Sequence, residues 1–178
     1  MISVCKATSS DLNFILALIA DAKDYMQRQG FLQWTPFYPM EEDFARDIEL
    51  QRGYILLSSK TPAGYAALSF EPEPCYDELD GEWLSKLPYA VIHRLAVKEE
   101  FRGTGAALQL ILGLELICKM KGTLSLRTDT HRDNLPMQGL LKKAGFTRCG
   151  TVVYPEIPTG DKSRVAFEKL LSEGCSCG

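Results

Sequence analysis

The sequence lacks a field of one charge. Twenty Lys and Arg stand against 23 Asp and Glu, for a formal net charge of -3, so no basic surface is expected and nucleic acid is excluded as a partner. It also lacks long apolar runs. None approaches the roughly 20 residues that span a bilayer, and "MISVCKATSSDLNF" has no basic segment ahead of an apolar core. No membrane partner and no secretory signal are expected, which points to a cytoplasmic protein. The six cysteines then default to free thiols. Four are scattered, and Cys175 and Cys177 form a C-x-C pair near the end with no second pair or histidine beside it. That is weak as a metal site, so no metal is expected and residues 173–178 read as a tail.

What is present is an ordinary globular composition, 46% hydrophobic and 24% charged over 178 residues, enough for one domain over residues 1–172. "ISVCKA" alternates as a first strand. "TSSDLNFILALIADAKDYMQRQG" reads as a helix, with a capping-box variant from Thr8 to Asp11 and a stripe of Leu12, Ile15, Leu16, Ile19, Ala22 and Met26 ending at Gly30. An aromatic loop follows, "FLQWTPFYP", then a short helix in "MEEDFARDIELQRG". "YILLSS" and "YAALSF" read as a hairpin around "KTPAG", and residues 71–88 as an acidic loop or short-helix insertion. "YAVIHRLAV" is a buried strand. "AALQLILGLELICKMKG" is a long helix whose stripe is Ala107, Leu110, Ile111, Leu114, Ile117 and Cys118. Leu108, Leu112 and Leu116 line much of the rest, so packing on more than one side is expected. "TLSLRTDT", the helix "PMQGLLKKAGF" and the strands "TRCGTVVY" and "RVAFEKLL" close the chain. Strands alternating with helices, then a closing hairpin, predict an α/β fold, an α+β mixed sheet.

The chemistry concentrates in "EEFRGTGAALQL", Glu99 to Leu110. A strand, a Gly-rich loop and a helix form a recurring device for holding phosphate. The first N–H groups of a helix have no intrahelical partner and sit at the positive end of its dipole. Gly103 and Gly105 leave the backbone bare, and Arg102 adds a charged donor. The loop is neither a Walker A motif nor a dinucleotide fingerprint, because the spacing fits neither.

The pattern Arg-x-x-Gly-x-Ala at Arg102, Gly105 and Ala107 resembles the acetyl-CoA pyrophosphate loop of the GNAT superfamily of N-acetyltransferases. "LAV" (Leu95 to Val97) precedes it as in that family's fourth strand. "NLPMQGLLKKAGF" is similar to the signature Asn-x-x-Ala-x-x-Leu-Tyr-x-Lys-x-Gly-Phe through Asn134, Leu140, Lys143, Gly145 and Phe146. The resemblance is strongest over residues 89–150. It implies a mixed, mostly antiparallel sheet with strands four and five splayed and about four helices. It also implies pantetheine against Leu95, Ala96 and Val97, pyrophosphate on Arg102, Gly103, Thr104, Gly105, Ala106 and Ala107, and Asn134 beside the pantetheine. The implied reaction moves an acetyl group from acetyl-CoA to a primary amine of a small molecule or peptide. A non-catalytic acyl-CoA-binding or sensing module on the same fold is the alternative, because Leu141 stands where many members place a tyrosine that protonates the departing thiolate, and Met137 replaces the usual Ala. A homodimer stays open.

The reaction needs a group to take a proton from the amine, since an alkyl ammonium has a pKa near ~10. His93 is a candidate base or a hydrogen-bonded core histidine, and an ideal strand turns Arg94 to the opposite face. Asp129 and His131 lie two apart, either as proton relays and acceptor contacts or as a charged strand end. Trp34, Phe37 and Tyr38 form an acceptor wall or plug the core. The acidic run from Glu71 to Glu82 attracts a cationic amine or is only solvated. Cys118 and Cys149 read as small apolar residues rather than nucleophiles.

Overall fold

The computed structural model of the chain describes residues 1–155, 157 and 161–172; the expected tail with Cys175 and Cys177 lies outside them. The described strands are β1 (Ile2–Lys6), β2 (Gly53–Ser58), β3 (Thr61–Ser69), β4 (Asp80–Gly81), β5 (Tyr89–Val97), β6 (Ser125–Thr130), β7 (Thr147–Val153) and β8 (Ser163–Leu170). The described α-helices are α1 (Leu12–Arg28), α2 (Glu41–Glu49), α3 (Ala106–Met120) and α4 (Leu135–Lys143). They build one mixed sheet in the order β1-β2-β3-β5-β6-β8-β7-β4. Every neighbouring pair is antiparallel except β5–β6, joined in parallel through α3.

Alternation along the strands separates two faces. Tyr54, Leu56, Ala66, Leu68, Ala90 and Ile92 pack with Leu110, Ile111 and Leu114 of α3 and Leu141 of α4. On the other face Ile55, Tyr65 and Ala67 pack with Ile15, Leu18 and Ile19 of α1 and Phe44 of α2. Farther along that second face Tyr76, Val91, Val152 and Ala166 form a smaller cluster under the 71–88 segment, which holds a short 3-10 helix (Pro74–Glu78) and β4.

Local chemistry explains the helix ends. The Asp11 carboxylate accepts from the Thr8 backbone N–H at 2.8 Å, and a 3-10 turn (Ser9–Asp11) feeds α1. The buried face of α1 is Ile15, Leu18, Ile19, Ala22 and Met26, so Leu18 takes a core place while Leu12 and Leu16 stay partly buried. Gly30, at φ 81, ends the run.

Helix α3 departs from the expected packing on more than one side. Leu112 and Leu116 are exposed, at 42% and 59%, because the sheet meets only the face of Leu110, Ile111, Leu114 and Cys118. Gly113 marks its closest approach: a Cβ there would lie 2.4 Å from Val4 Cγ2 of β1. The interior glycine costs helix propensity of roughly 1 kcal/mol, and its exchange for a larger residue would displace the helix.

The feature that positions the site lies in β5. His93 faces Ala67 and Ala96 faces Tyr65, so Arg94 and Leu95 together stand opposite Ala66. This is a β-bulge, with Arg94 at φ 53, a conformation seldom adopted by a residue with a side chain. The parallel pairing with β6 stops at Ile92–Thr128, just before the bulge. Beyond that rung the two strands part.

Candidate functional site

The parting of β5 from β6 opens a cleft with two dissimilar sides. On the first, a cavity of about 380 Å³ lies between α1, the end of β5, the glycine loop and α4. Leu95, Ala96, Val97, Arg102, Gly103, Gly105, Ala107 and Asn134, all singled out in the sequence, border it. Thr104 and Ala106 do not: the Thr104 hydroxyl donates to the Phe101 carbonyl at 2.8 Å, and Ala106 is buried beneath the first turn of α3. Gly103 and Gly105 have φ of 76 and 91, and a Cβ on either would meet nothing within 4 Å. The turn therefore demands glycine for its backbone angles, and the space above it is open. Gly105 is the N-cap of α3, so the first N–H groups of the helix face that space without helical acceptors.

Arg102 is not a free cation. Its guanidinium donates to Asp21 at 2.8 Å and lies 4.4 Å from the centre of the Tyr25 ring, tying the loop to α1. The cavity wall also includes Ala22, Tyr25, Met26, Phe31 and, on α4, Met137, Leu140 and Lys143. The sequence placed Ala22 and Met26 in a core stripe; nothing in their spacing distinguishes a core from a cavity wall. Leu141, the position matched to a tyrosine, is 2% exposed and packs into the core on the α3 side, away from the cavity. Leu140 faces the cavity instead.

On the second side, His93 and Asp129 hold equivalent places on the two parting strands. They occupy the first positions past the last paired rung, on the face shared with Val91 and Arg127. The bulge also corrects the expected opposition of His93 and Arg94. The Arg94 side chain reaches the same side of the sheet, donating to Asp47 of α2 from Nε at 2.9 Å and from a terminal nitrogen at 2.7 Å. Its other terminal nitrogen donates to the Tyr38 hydroxyl at 3.1 Å, and Tyr65 donates to Asp47 at 2.8 Å. Burial first, then the Arg94 and Arg52 guanidiniums, push His93 down to about 3. It is neutral at pH 7, with Nε2 3.3 Å from Glu73 Oε2. Glu73 was hidden in the acidic run, and no sequence signal separates it from Glu71, which pairs with Arg52 at 2.5 Å.

Asp129 accepts from the Tyr76 hydroxyl at 2.8 Å and the Tyr154 hydroxyl at 2.6 Å, both on Oδ2. Burial raises its pKa, while the two tyrosines and Arg164 oppose that shift.

His131 does not join this pair. It is buried, stacked on Phe31 with ring centres 5.8 Å apart, and its Nδ1 accepts from the Asp133 N–H at 3.1 Å. Its pKa is lowered, mainly by burial and then by Arg164. Beside it, Gln33 holds the aromatic loop to the sheet. The Gln33 amide oxygen accepts from the Thr130 hydroxyl at 2.9 Å, the His131 N–H at 3.1 Å and the Asn134 amide at 3.2 Å. Asn134 in turn caps α4 by accepting from the Met137 N–H at 3.2 Å. Of the aromatic loop, Trp34 is buried with α1 and α2, whereas Phe37 is 83% exposed and Tyr38 is 43% exposed. Cys118 is buried and its thiol pushed up to about 12, and Cys149 is also raised, so neither is a thiolate nucleophile. Among the described residues no group of three or more His, Cys, Asp or Glu is placed to hold a metal, and no helix is long and apolar enough to cross a membrane.

The model of the Acetyltransferase (GNAT) family matches residues 18–146. The chain belongs to the GNAT acetyltransferase family. A GNAT-family acetyltransferase from Streptococcus agalactiae 2603 is 30% identical, with 96% of each chain covered and a TM-score of 0.85. The GNAT-family acetyltransferase from Listeria monocytogenes 4b F2365 shares the fold at 19% identity, covering 96% of this chain and 95% of its own, with a TM-score of 0.72. The PaiA N-acetyltransferase from Thermoplasma acidophilum, in complex with coenzyme A, does so at 19% identity, covering 96% and 99%, with a TM-score of 0.71. No curated protein matches by sequence. The GNAT fold uses acetyl-CoA, and the open glycine turn beside a long apolar cavity suits a pyrophosphate joined to a pantetheine arm.

Proposed function

We propose that the protein transfers the acetyl group of acetyl-CoA directly to a primary amine of a small molecule or peptide, without an acyl-enzyme intermediate. One observation carries this reading: the 380 Å³ cavity joins the glycine turn to Leu95 of the β5 bulge, just past the last rung that β5 shares with β6. The N–H groups of Gly103, Gly105, Ala106 and Ala107 hold the pyrophosphate, while those of Arg102 and Thr104 donate to the Glu99 and Phe101 carbonyls. Leu95 to Val97 lie along the pantetheine, with Phe31 and Met137 across from them. Asn134, fixed by its cap and by Gln33, keeps the start of α4 against the cofactor.

The amine enters from the His93 and Asp129 side. It must lose a proton before its lone pair can attack the thioester carbon. Neutral His93 is a weak base and acts as a relay toward Glu73; Asp129, held by two hydroxyls, takes part in the same proton path. His131 orients Phe31 and the chain ahead of α4.

The second reading, a non-catalytic acyl-CoA-binding module, is favoured by the burial of Leu141, which leaves no tyrosine at the family's acid position. Thiol release from acetyl-CoA in the presence of a panel of amines tests the two. Amine-dependent release with a stoichiometric amide product supports transfer. Acetyl-CoA binding without turnover on any amine supports the module. Binding is read independently: a ligand at 100 times its Kd stabilises by about 2.7 kcal/mol, which for this chain length raises Tm by roughly 5–10 °C.

A further inference from the structure

Among the described residues two arginines are buried, Arg127 and Arg164, each 5% exposed, and they are held in different ways. Arg127 has a carboxylate. Its Nε donates to Glu168 at 3.3 Å, Nη2 donates to the Ser85 carbonyl at 2.9 Å, and the guanidinium lies 4.0 Å from the centres of both the Trp83 and Tyr89 rings. Arg94 of the bulge likewise has Asp47. Arg164 has no ion-pair partner among the described residues. Its Nη1 donates to the Asp161 and Ser163 carbonyls, each at 2.8 Å, which fixes the guanidinium without neutralising it. Nε and Nη2, the edge with two parallel N–H bonds, donate to no described residue. That edge is not sealed off either: the one buried side-chain nitrogen or oxygen without a hydrogen-bond partner among the described residues is Asp161 Oδ2.

The neighbouring carboxylate of Asp161 is turned elsewhere. Its Oδ1 accepts from the Ser163 N–H at 2.9 Å and hydroxyl at 2.6 Å, and Oδ2 lies 3.1 Å from Arg132 Nε and 3.6 Å from His131 Nε2. A buried guanidinium is costly unless an anion compensates it, so buried arginines are as a rule paired, as Arg127 is. The place of the unpaired one is informative. Arg164 stands on β8 directly opposite Val152, which packs with Tyr76, Val91 and Ala166. That is the face of His93 and Asp129. Asp129 pairs with Ala166, two residues from Arg164, a diagonal spacing of roughly 7–8 Å between backbones. The Arg164 charge is felt at both Asp129 and His131, where burial is the larger influence.

We propose that Arg164 binds a carboxylate of the acceptor, so that the substrate is an amino carboxylate, an amine and a carboxylate on one molecule; the proposal rests on the acetyl-transfer reading. The free Nε–Nη2 edge matches the two oxygens of a carboxylate. The amine then lies toward His93 and Asp129, where β5 and β6 part, and the carboxylate is held beyond β6. A phosphate fits the same edge, but its second negative charge would stand beside Asp129. The carboxylate does not react, so Arg164 binds ground state and transition state equally and its loss acts on KM for the acceptor.

The test sets each member of a series (an α-, a β-, a γ- and an ε-amino acid) against its own carboxamide, by thiol release from acetyl-CoA, in the unaltered protein, Arg164→Gln and Arg164→Lys. The best amino carboxylate should exceed its carboxamide about 100-fold in kcat/KM. Arg164→Gln should remove that preference, mainly through KM for the acceptor, and Arg164→Lys, a cation without the fork, should restore part of it. Turnover of the carboxamides should change less than about threefold in both variants, with the acetyl-CoA thermal shift intact. The comparison within the unaltered protein needs no variant to fold. Equal turnover of carboxylates and carboxamides there, a preference that survives Arg164→Gln, or an aminoalkyl phosphate favoured over every amino carboxylate overturns the proposal and leaves acetyl transfer standing. If no amine is acetylated, the transfer reading falls, and calorimetric titration of the same amino acids onto the protein loaded with coenzyme A decides the site separately: binding that Arg164→Gln abolishes supports it, and its absence overturns it.

Discussion

The two sides of the cleft are made of different materials. The side with the cavity, proposed for the cofactor, is backbone and carbon: two glycines in left-handed conformations, the first turn of α3, and apolar walls from α1 and α4. Its one prominent cation at the loop, Arg102, is already paired with Asp21. The other side, proposed for the acceptor, consists of side chains gathered from distant segments: Tyr38 and Asp47 near α2, Glu73 and Tyr76 before β4, His93 and Arg94 on the bulge, Asp129 on β6, and Tyr154 after β7. A binding site for an invariant cosubstrate can be encoded locally. A site for proton transfer needs groups whose charges depend on one another, and only the whole fold brings them together.

Asp129→Asn gives the largest expected separation of the two sides. An amide oxygen can still accept from Tyr76 and Tyr154, but the charge is gone. We expect kcat/KM for the amine to fall about 100-fold with the acetyl-CoA thermal shift intact. Because burial raises the Asp129 pKa in the folded state, the neutral carboxyl favours folding below its unfolded pKa, and that contribution is lost as pH rises through the folded value and the group ionises. The variant should therefore hold or raise Tm at pH 7, and a clear fall in Tm would contradict this.

Gly105→Val tests the other side. A β-branched residue at φ 91 is strained by roughly 1–2 kcal/mol, and its side chain would stand in the open space over the turn. Calorimetric titration should show acetyl-CoA bound at least about tenfold more weakly. Equal affinity would mean that the turn does not carry the pyrophosphate.

A smaller effect follows from His93. Its folded pKa of about 3 lies below the unfolded value near ~6.5, so the neutral form favours folding above pH 6.5 and that contribution drains away as pH falls toward 3. Tm of the unaltered protein should drop more steeply between pH 7 and 5 than that of His93→Gln. Parallel slopes would show that burial does not hold the imidazole neutral. The smallest effect is expected outside both sides: Leu116→Ser on the exposed ridge of α3 should change stability by no more than about 0.5 kcal/mol in a denaturant titration.

These materials also explain what the sequence discloses. The glycine turn, the Asn134 cap and the strand ahead of the loop follow from neighbouring residues, so the residues that border the cavity from β5, the loop and the start of α4 are legible in the sequence. A contiguous loop reads as uniform in sequence, whereas the turn keeps Thr104 and Ala106 off the cavity that its glycines border. Period-two alternation put Arg94 opposite His93, and one inserted residue on β5 undid that inference. His131 is two residues from Asp129, but the chain leaves the strand at Thr130, so the spacing no longer implies a shared face. Glu73 and Gln33 sit in irregular segments with no period to read. The apolar excess of α3 suggested cover on several sides, though leucine on a solvent-facing ridge is tolerated when the opposite face alone anchors the helix.

The contact between Gly113 and Val4 has a consequence for the loop at the far end of α3. With no side chain between helix and strand, the helix can neither slide nor roll on β1 without collision, so it rests on a mechanical stop. Seven residues toward the N-terminus, roughly 10 Å along a stiff rod, that stop becomes the datum from which the glycine turn is located. The Gly113–Val4 contact thus calibrates where the glycine turn, the proposed seat of the phosphates, is held.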